Sequence, residues 1–213
     1  MQTNLEERWL RLWKALDPEN ENGMDYGLMY AKLAERYSEP HRAYHTLAHL
    51  EHCFAEYDEV RRLCENRFAV QLALWYHDAV YDPRANDNEK RSEELALLEI
   101  YEAGQDKSLG SQVRRHIHST GHFELYLEYD SFLVVDIDLA ILGQPEERFD
   151  EYERQVRAEY KWVSEEMFRK GRSNILQNFL NRPHVYRTPH FQHKYEQQAR
   201  KNLTRSIHQL QLT

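Results

Sequence analysis

The chain has 213 residues, long enough for one sizeable core, and 41% of them are apolar, including 14 Tyr, 8 Phe and 4 Trp, a composition that argues against a disordered chain. A formal charge of -8 and a pI near 5.8 argue against a protein that coats a nucleic-acid polymer, which requires a concentrated positive field. No apolar run approaches the roughly 20 residues that span a bilayer, and "MQTNLEERWLRLW" lacks a signal peptide's basic and apolar regions, so no membrane association is expected and the expected location is the cytoplasm.

Along the chain, apolar residues recur at helical spacing between short breaks. Leu5, Trp9, Leu12, Trp13 and Leu16 form a stripe that stops at "DPENENG". Tyr26, Met29, Tyr30, Leu33 and Tyr37 form a second, ended by Ser38 and Pro40. A third helix is expected from about His45 to Cys64, and a fourth, "RFAVQLALWYHD", is apolar nearly all round, as a central buried helix should be. Pro83 and an Asn/Asp cluster make "AVYDPRANDNEK" a loop. Helices are then expected over Asn88 to Ala103, about Leu109 to Ser119, Ser131 to Leu142, Pro145 to Tyr160, Ser164 to Leu180, and from about Phe191 onward. "FLVVDIDLAIL" has the β-branched content of a strand, but Gly143 and Pro145 fit a helix break and no partner strand is in view. The Pro-containing breaks are too short for linkers. The expected architecture is one all-α domain over residues 1–213.

The two cysteines, Cys53 and Cys64, fall in the third expected helix and are eleven residues apart. At about 1.5 Å rise per residue this is roughly 16 Å, too far for a disulfide, which requires Cα atoms within about 7 Å. Both are read as reduced thiols.

Histidines and carboxylates carry the chemistry. In "YHTLAHLEH", His45, His49 and His52 fall on one stripe if the segment is helical. In "LWYHDAVYD", His77 and Asp78 end an apolar helix, where such a pair either caps the helix or needs a compensating partner such as a divalent cation. Asp136 and Asp138 lie in the apolar "VVDIDLAILG", about 200° apart on a helix, so at least one should face something positive. Taken together, His49, His77, Asp78 and one later Asp form a mixed N/O ligand set for Zn, Mn, Fe, Co or Mg.

This ordered set, His49, His77-Asp78 and Asp138, resembles that of the HD superfamily of metal-dependent phosphohydrolases. "YHTLAHLEHC" is also similar to a stretch of the cyclic-nucleotide phosphodiesterases in that superfamily. "YHTLAHLEHC", "WYHDAVYDPRANDNEKRS" and "DIDLAILG" together look like a bacterial family of HD phosphohydrolases of unassigned substrate. The resemblance implies an HD-type helical bundle and a divalent metal held by His49, His77, Asp78 and Asp138, with Asp136 a live alternative to the last. It implies His45 as proton donor to the leaving oxygen and His122, with Thr120, near the substrate. Arg42, Arg84 and Arg91 lie near the ligands in sequence and could hold phosphate oxygens. Glu89 could orient water, or simply favour a helix start beside Asn88. His116 and His118 are read as a solvated face, and His184, His190 and His193 as an exposed loop. No acidic pair follows His77 as in alarmone hydrolases, which argues against that substrate. The expected partner is a small phosphorylated compound, a nucleotide among the candidates, with monomer and homodimer both open. Two other functions stay in view: an HD-fold di-iron oxygenase and a non-catalytic nucleotide-sensing module.

Overall fold

The computed structural model describes residues 4–121 and 128–212, and every regular element among them is helical, so the chain is all-α. In chain order these are α1 (Leu5–Leu16), α2 (Tyr26–Arg36), α3 (Leu47–Val60), α4 (Arg67–Tyr76), α5 (Asn88–Glu102), α6 (Lys107–Thr120) and α7 (Tyr129–Asp138), then a 3-10 turn (Leu139–Gly143), α8 (Glu146–Glu159), α9 (Glu165–Leu180) and α10 (Pro189–Leu212). They form two compact units, Met1–Val135 and Asp136–Thr213. Among the described residues, no helix is long and apolar enough to cross a membrane.

The helices begin where polar side chains can satisfy their free N–H groups. Asn4, Asp25, Asn66, Asp106 and Ser164 each precede a helix and accept a hydrogen bond from its first turn. In the first unit α1 buries Leu5, Trp9, Leu12 and Trp13, the stripe read from sequence. Trp9 meets Trp75 edge-on at 5.3 Å, and Trp13 stacks on Tyr26 at 4.9 Å. Helix α4 buries Ala69, Val70 and every residue from Leu72 to Tyr76, as its all-round apolar character demands. The turn leading into it is held by Asp130, whose carboxylate accepts from the N–H groups of Glu65 (2.9 Å) and Asn66 (2.8 Å).

Histidine 116 departs from its expected solvated face. It is 1% exposed, and its Nδ1 lies 2.8 Å from Ser131 Oγ while Nε2 has no partner among the described residues. Burial drives its pKa from 6.5 down to about 4, with Arg115 acting in the same direction against Asp130 and Glu128. The unfolded chain therefore takes up a proton in a range where the folded one does not. Stability should be full above pH 6.5 and fall as the pH drops toward 4, by up to roughly 3 kcal/mol. Urea unfolding midpoints across that range should show a flatter decline in His116→Phe. An unchanged slope would refute the assignment.

The segment "FLVVDIDLAIL" is helical, as its Gly/Pro punctuation indicates, but its end, in the second unit, tightens into the 3-10 turn, all five residues of which are buried. At Gly143 any Cβ would collide with Tyr195 of α10, so only glycine permits this approach. Asn202 of α10 donates to the carbonyls of Leu142 (2.9 Å) and Gln144 (2.8 Å), which closes the turn's free acceptors. Arg172 of α9 is paired with Glu153 of α8, and Glu153 also accepts from Ser206 of α10. His190 and His193, read as loop residues, instead lie in the first turns of α10.

Candidate metal centre

Thr46 is extended, with φ -120° and ψ -179°, so α3 begins only at Leu47 and His45 stands in the turn before it rather than on the helical stripe. His49 and Cys53 are one turn apart on α3, the spacing that places side chains on one face. Helix α4 ends at Tyr76, and His77 caps it in helical conformation with its N–H donating to Ala73. The ring of His77 turns back so that Nδ1 lies 2.9 Å from the carbonyl of Leu74. A carbonyl only accepts, so Nδ1 carries the proton and Nε2 presents its lone pair.

That lone pair points into a cluster of electron-rich atoms. His49 Nε2 is 3.0 Å from His77 Nε2, and Asp78 Oδ2 is 3.2 Å from His77 Nε2 and 3.6 Å from His49 Nε2. Cys53 Sγ is 3.6 Å from His49 Nε2. The ligand atoms of His49, Cys53 and His77 all lie within 4.8 Å of one another. His49, Cys53 and His77 are no more than 2% exposed, whereas the Asp78 side chain is 21% exposed and gives the cluster an open side. Two imidazoles and a carboxylate at such separations, with a buried thiol against the His49 ring, fit a divalent cation, which relieves the crowding of lone pairs and charge that the residues alone create.

Arg42 is placed differently from a phosphate-holding arginine. Its guanidinium is 0% exposed and makes four hydrogen bonds to protein: Nη1 to the carbonyls of His45 (3.0 Å) and Asp78 (2.8 Å), Nη2 to Ala79 (3.2 Å), and Nε to Glu39 (3.0 Å). The rings of Tyr37 and Tyr81 lie against it, at 5.1 and 5.4 Å. One side chain thus joins the segment carrying His45 to the one carrying Asp78. Ser92 of α5 bonds the N–H and carbonyl of Val80, and Asn88 bonds those of Asp82, so the loop after Asp78 is held along its length. Asn88 is therefore a loop brace, and Glu89 sits half-buried in the first turn of α5. Arg84 and Arg91 are exposed.

His45 keeps a place beside the cluster without helical spacing. Its ring centroid is 6.0 Å from that of His49 and 4.3 Å from that of Tyr81, and it is half-buried. Thr120 is buried with its hydroxyl donating to the Ile117 carbonyl, and His118 lies 3.0 Å from Glu93, whose pKa burial raises. His122 lies outside the described residues. In the second unit Asp136 is wholly buried and both its oxygens are taken: Oδ1 by the N–H of Arg187 (2.8 Å), Oδ2 by the N–H and hydroxyl of Thr188 (both 2.7 Å). Asp136 thus fixes the start of α10, which leaves Asp138, half-buried at the end of α7, as the candidate ligand of the two. Cys53 was not anticipated at the site, although its position four residues after His49 on a helix was a usable signal. Both cysteines are free thiols. Comparison with known proteins finds no matching family model, curated protein or solved structure.

Proposed function

We propose that the chain is a metal-dependent phosphohydrolase acting on a small phosphorylated compound, with a nucleotide among the candidate substrates. The observation that carries this reading is the convergence of His49 Nε2, His77 Nε2 and Asp78 Oδ2 within 3.0 to 3.6 Å on the open side of a buried cluster. The order of these residues in the sequence, with Asp138 as a further ligand, is that of the HD phosphohydrolases. A divalent ion held by such a set supplies Lewis acidity, which lowers the pKa of water to make a nucleophile and offsets phosphate charge.

The chain's own residues would do the rest. His77 is held in one tautomer by Leu74, so its Nε2 is available without rearrangement. Asp78 adds the negative charge that offsets a dication and sits on the open side, where a substrate can approach. His45 would protonate the leaving oxygen, a role suited to imidazole because it exchanges a proton near neutrality. Arg42 would keep His45 and Asp78 in register from behind the site, and Tyr81 would flank the His45 ring.

The test is metal analysis of the purified protein, followed by a phosphatase and phosphodiesterase panel with Mg, Mn, Fe, Co and Zn. Release of phosphate or of a nucleoside monophosphate with at least one ion is expected. His45→Ala should keep the ion and lose about 10²- to 10⁴-fold in kcat. A variant with undiminished kcat would remove His45 from the mechanism. Two irons per chain with oxygen-dependent activity would establish an oxygenase instead, and tight nucleotide binding without turnover a sensing module.

A further inference from the structure

We propose that a cavity at the opposite end of α3 from the metal cluster binds a compact phosphate dianion, free or carried as a monoester, and that three arginines hold it. The cavity measures about 290 Å³, just under the roughly 300 Å³ at which small-molecule pockets begin. It lies wholly in the first unit, where neighbouring helices bring charged side chains to its walls at i, i+3 spacing. Arg8 and Arg11 come from α1, Asp58 from α3, Arg61 from just past the end of α3, and Gln71 from α4. Asp58 follows His49 by nine residues, about 14 Å along the helix, so the cavity is separate from the metal cluster.

The charge of the cavity is what marks it. The chain carries -8 overall, yet here three guanidinium groups face one carboxylate, an excess of two positive charges. The wider clefts of the second unit, about 590 and 380 Å³, are lined by equal numbers of acidic and basic side chains and hold no such excess.

The arginines also have donors left over. Arg8 is the best prepared: its side chain is 13% exposed, its guanidinium lies over the Phe54 ring at 4.9 Å, and Asp58 holds its Nη2. Its Nε and Nη1 have no hydrogen-bond partner among the described residues, and neither is sealed from solvent. Arg61 is exposed and forms no hydrogen bond or ion pair among the described residues. Arg11 meets Glu7 at 3.0 Å, but both side chains are largely exposed, so that pair is weak enough to yield to a better acceptor.

A fork already fixed by a ring and a carboxylate loses little freedom when a ligand arrives. Phosphate suits the set better than carboxylate does. A phosphate dianion matches the two excess charges and offers oxygens in several directions to several forks, whereas a carboxylate brings one charge and two oxygens in one plane. A nucleic-acid polymer fits poorly, because the chain's overall charge repels it.

Calorimetric titration of the full chain with inorganic phosphate and with glycerol phosphate, each with and without a chelator, tests the site. Saturable binding that survives the chelator is expected, with acetate giving none. The tighter of the two anions identifies the form the cavity takes. Arg8→Gln and Arg61→Gln, the second on an exposed side chain, should each weaken binding about tenfold or more. Asp58→Asn keeps an acceptor for Arg8 and drops the charge, so it should tighten binding. Phosphate binding that vanishes with the chelator would place the anion on the metal and overturn the cavity site. Affinity unchanged in both arginine variants would overturn it too, as would the absence of saturable binding. Circular dichroism of each variant separates loss of a contact from loss of fold.

Discussion

Alanine at His77 should empty the site: metal content falls below detection under conditions that load wild type, affinity drops by more than about 10²-fold, and hydrolysis disappears with it. The scale follows from what remains. Removing a group that only orients a ligand commonly costs 10- to 100-fold, and His77 would be a ligand itself. Its neighbours cannot replace it, because His49 and Cys53 are fixed on α3 and Asp78 is anchored through its carbonyl by Arg42. Asp78→Asn keeps the shape and removes the charge, so it should weaken binding in the same direction. Zinc titration by calorimetry and thermal unfolding with and without metal give the readings. At a hundredfold excess over Kd an ion stabilises wild type by about 2.7 kcal/mol, and that increment should vanish in both variants. Full metal content and full activity in both would end the metal reading.

Arg42→Ala should destabilise the first unit strongly, by about 3 to 5 kcal/mol. Three carbonyls, those of His45, Asp78 and Ala79, lose their donor at once, and a buried acceptor left without one costs about 1 to 3 kcal/mol, less where water enters. The space between Tyr37 and Tyr81 that the guanidinium fills also opens. Lysine carries the charge but not the fork, so Arg42→Lys should recover only part of the loss. Urea unfolding midpoints measure the stability, and zinc affinity measured beside them should fall because Asp78 loses its anchor. A change below 1 kcal/mol in Arg42→Ala would show that the clamp contributes little.

These expectations show what the sequence made legible. Helices α1 and α2 were visible almost to the residue, because Leu5, Trp9, Leu12 and Trp13 mark one buried face and Met29 and Leu33 the other, at helical spacing. The break at "DPENENG" and the loop after Asp78 were visible for the same reason, since Pro and Asn clusters are local signals. What went unread depends on chain segments far apart in sequence. Nothing near His116 in sequence announces that Ser131 will meet it in the core, so an amphipathic reading set it on the surface. Arg42 looked like any arginine beside a histidine motif until Asp78 and Ala79, 36 and 37 residues on, were seen to supply its acceptors. Asp136 and Asp138 could not be told apart by periodicity, and nothing near Asp136 in sequence announces that the N–H groups of Arg187 and Thr188 will occupy its oxygens. One miss with a local signal was Cys53: its spacing from Cys64 argued against a disulfide, while its place one helical turn after His49 went unread.

The bond from His77 Nδ1 to the carbonyl of Leu74 is confined to the end of α4, so the aim of the ring does not wait for an ion. An arriving cation meets a socket that is already oriented, and little ordering entropy is left to lose at the moment of capture. Under the proposed metal reading, loading would be limited by how fast the ion sheds its own water rather than by a folding step.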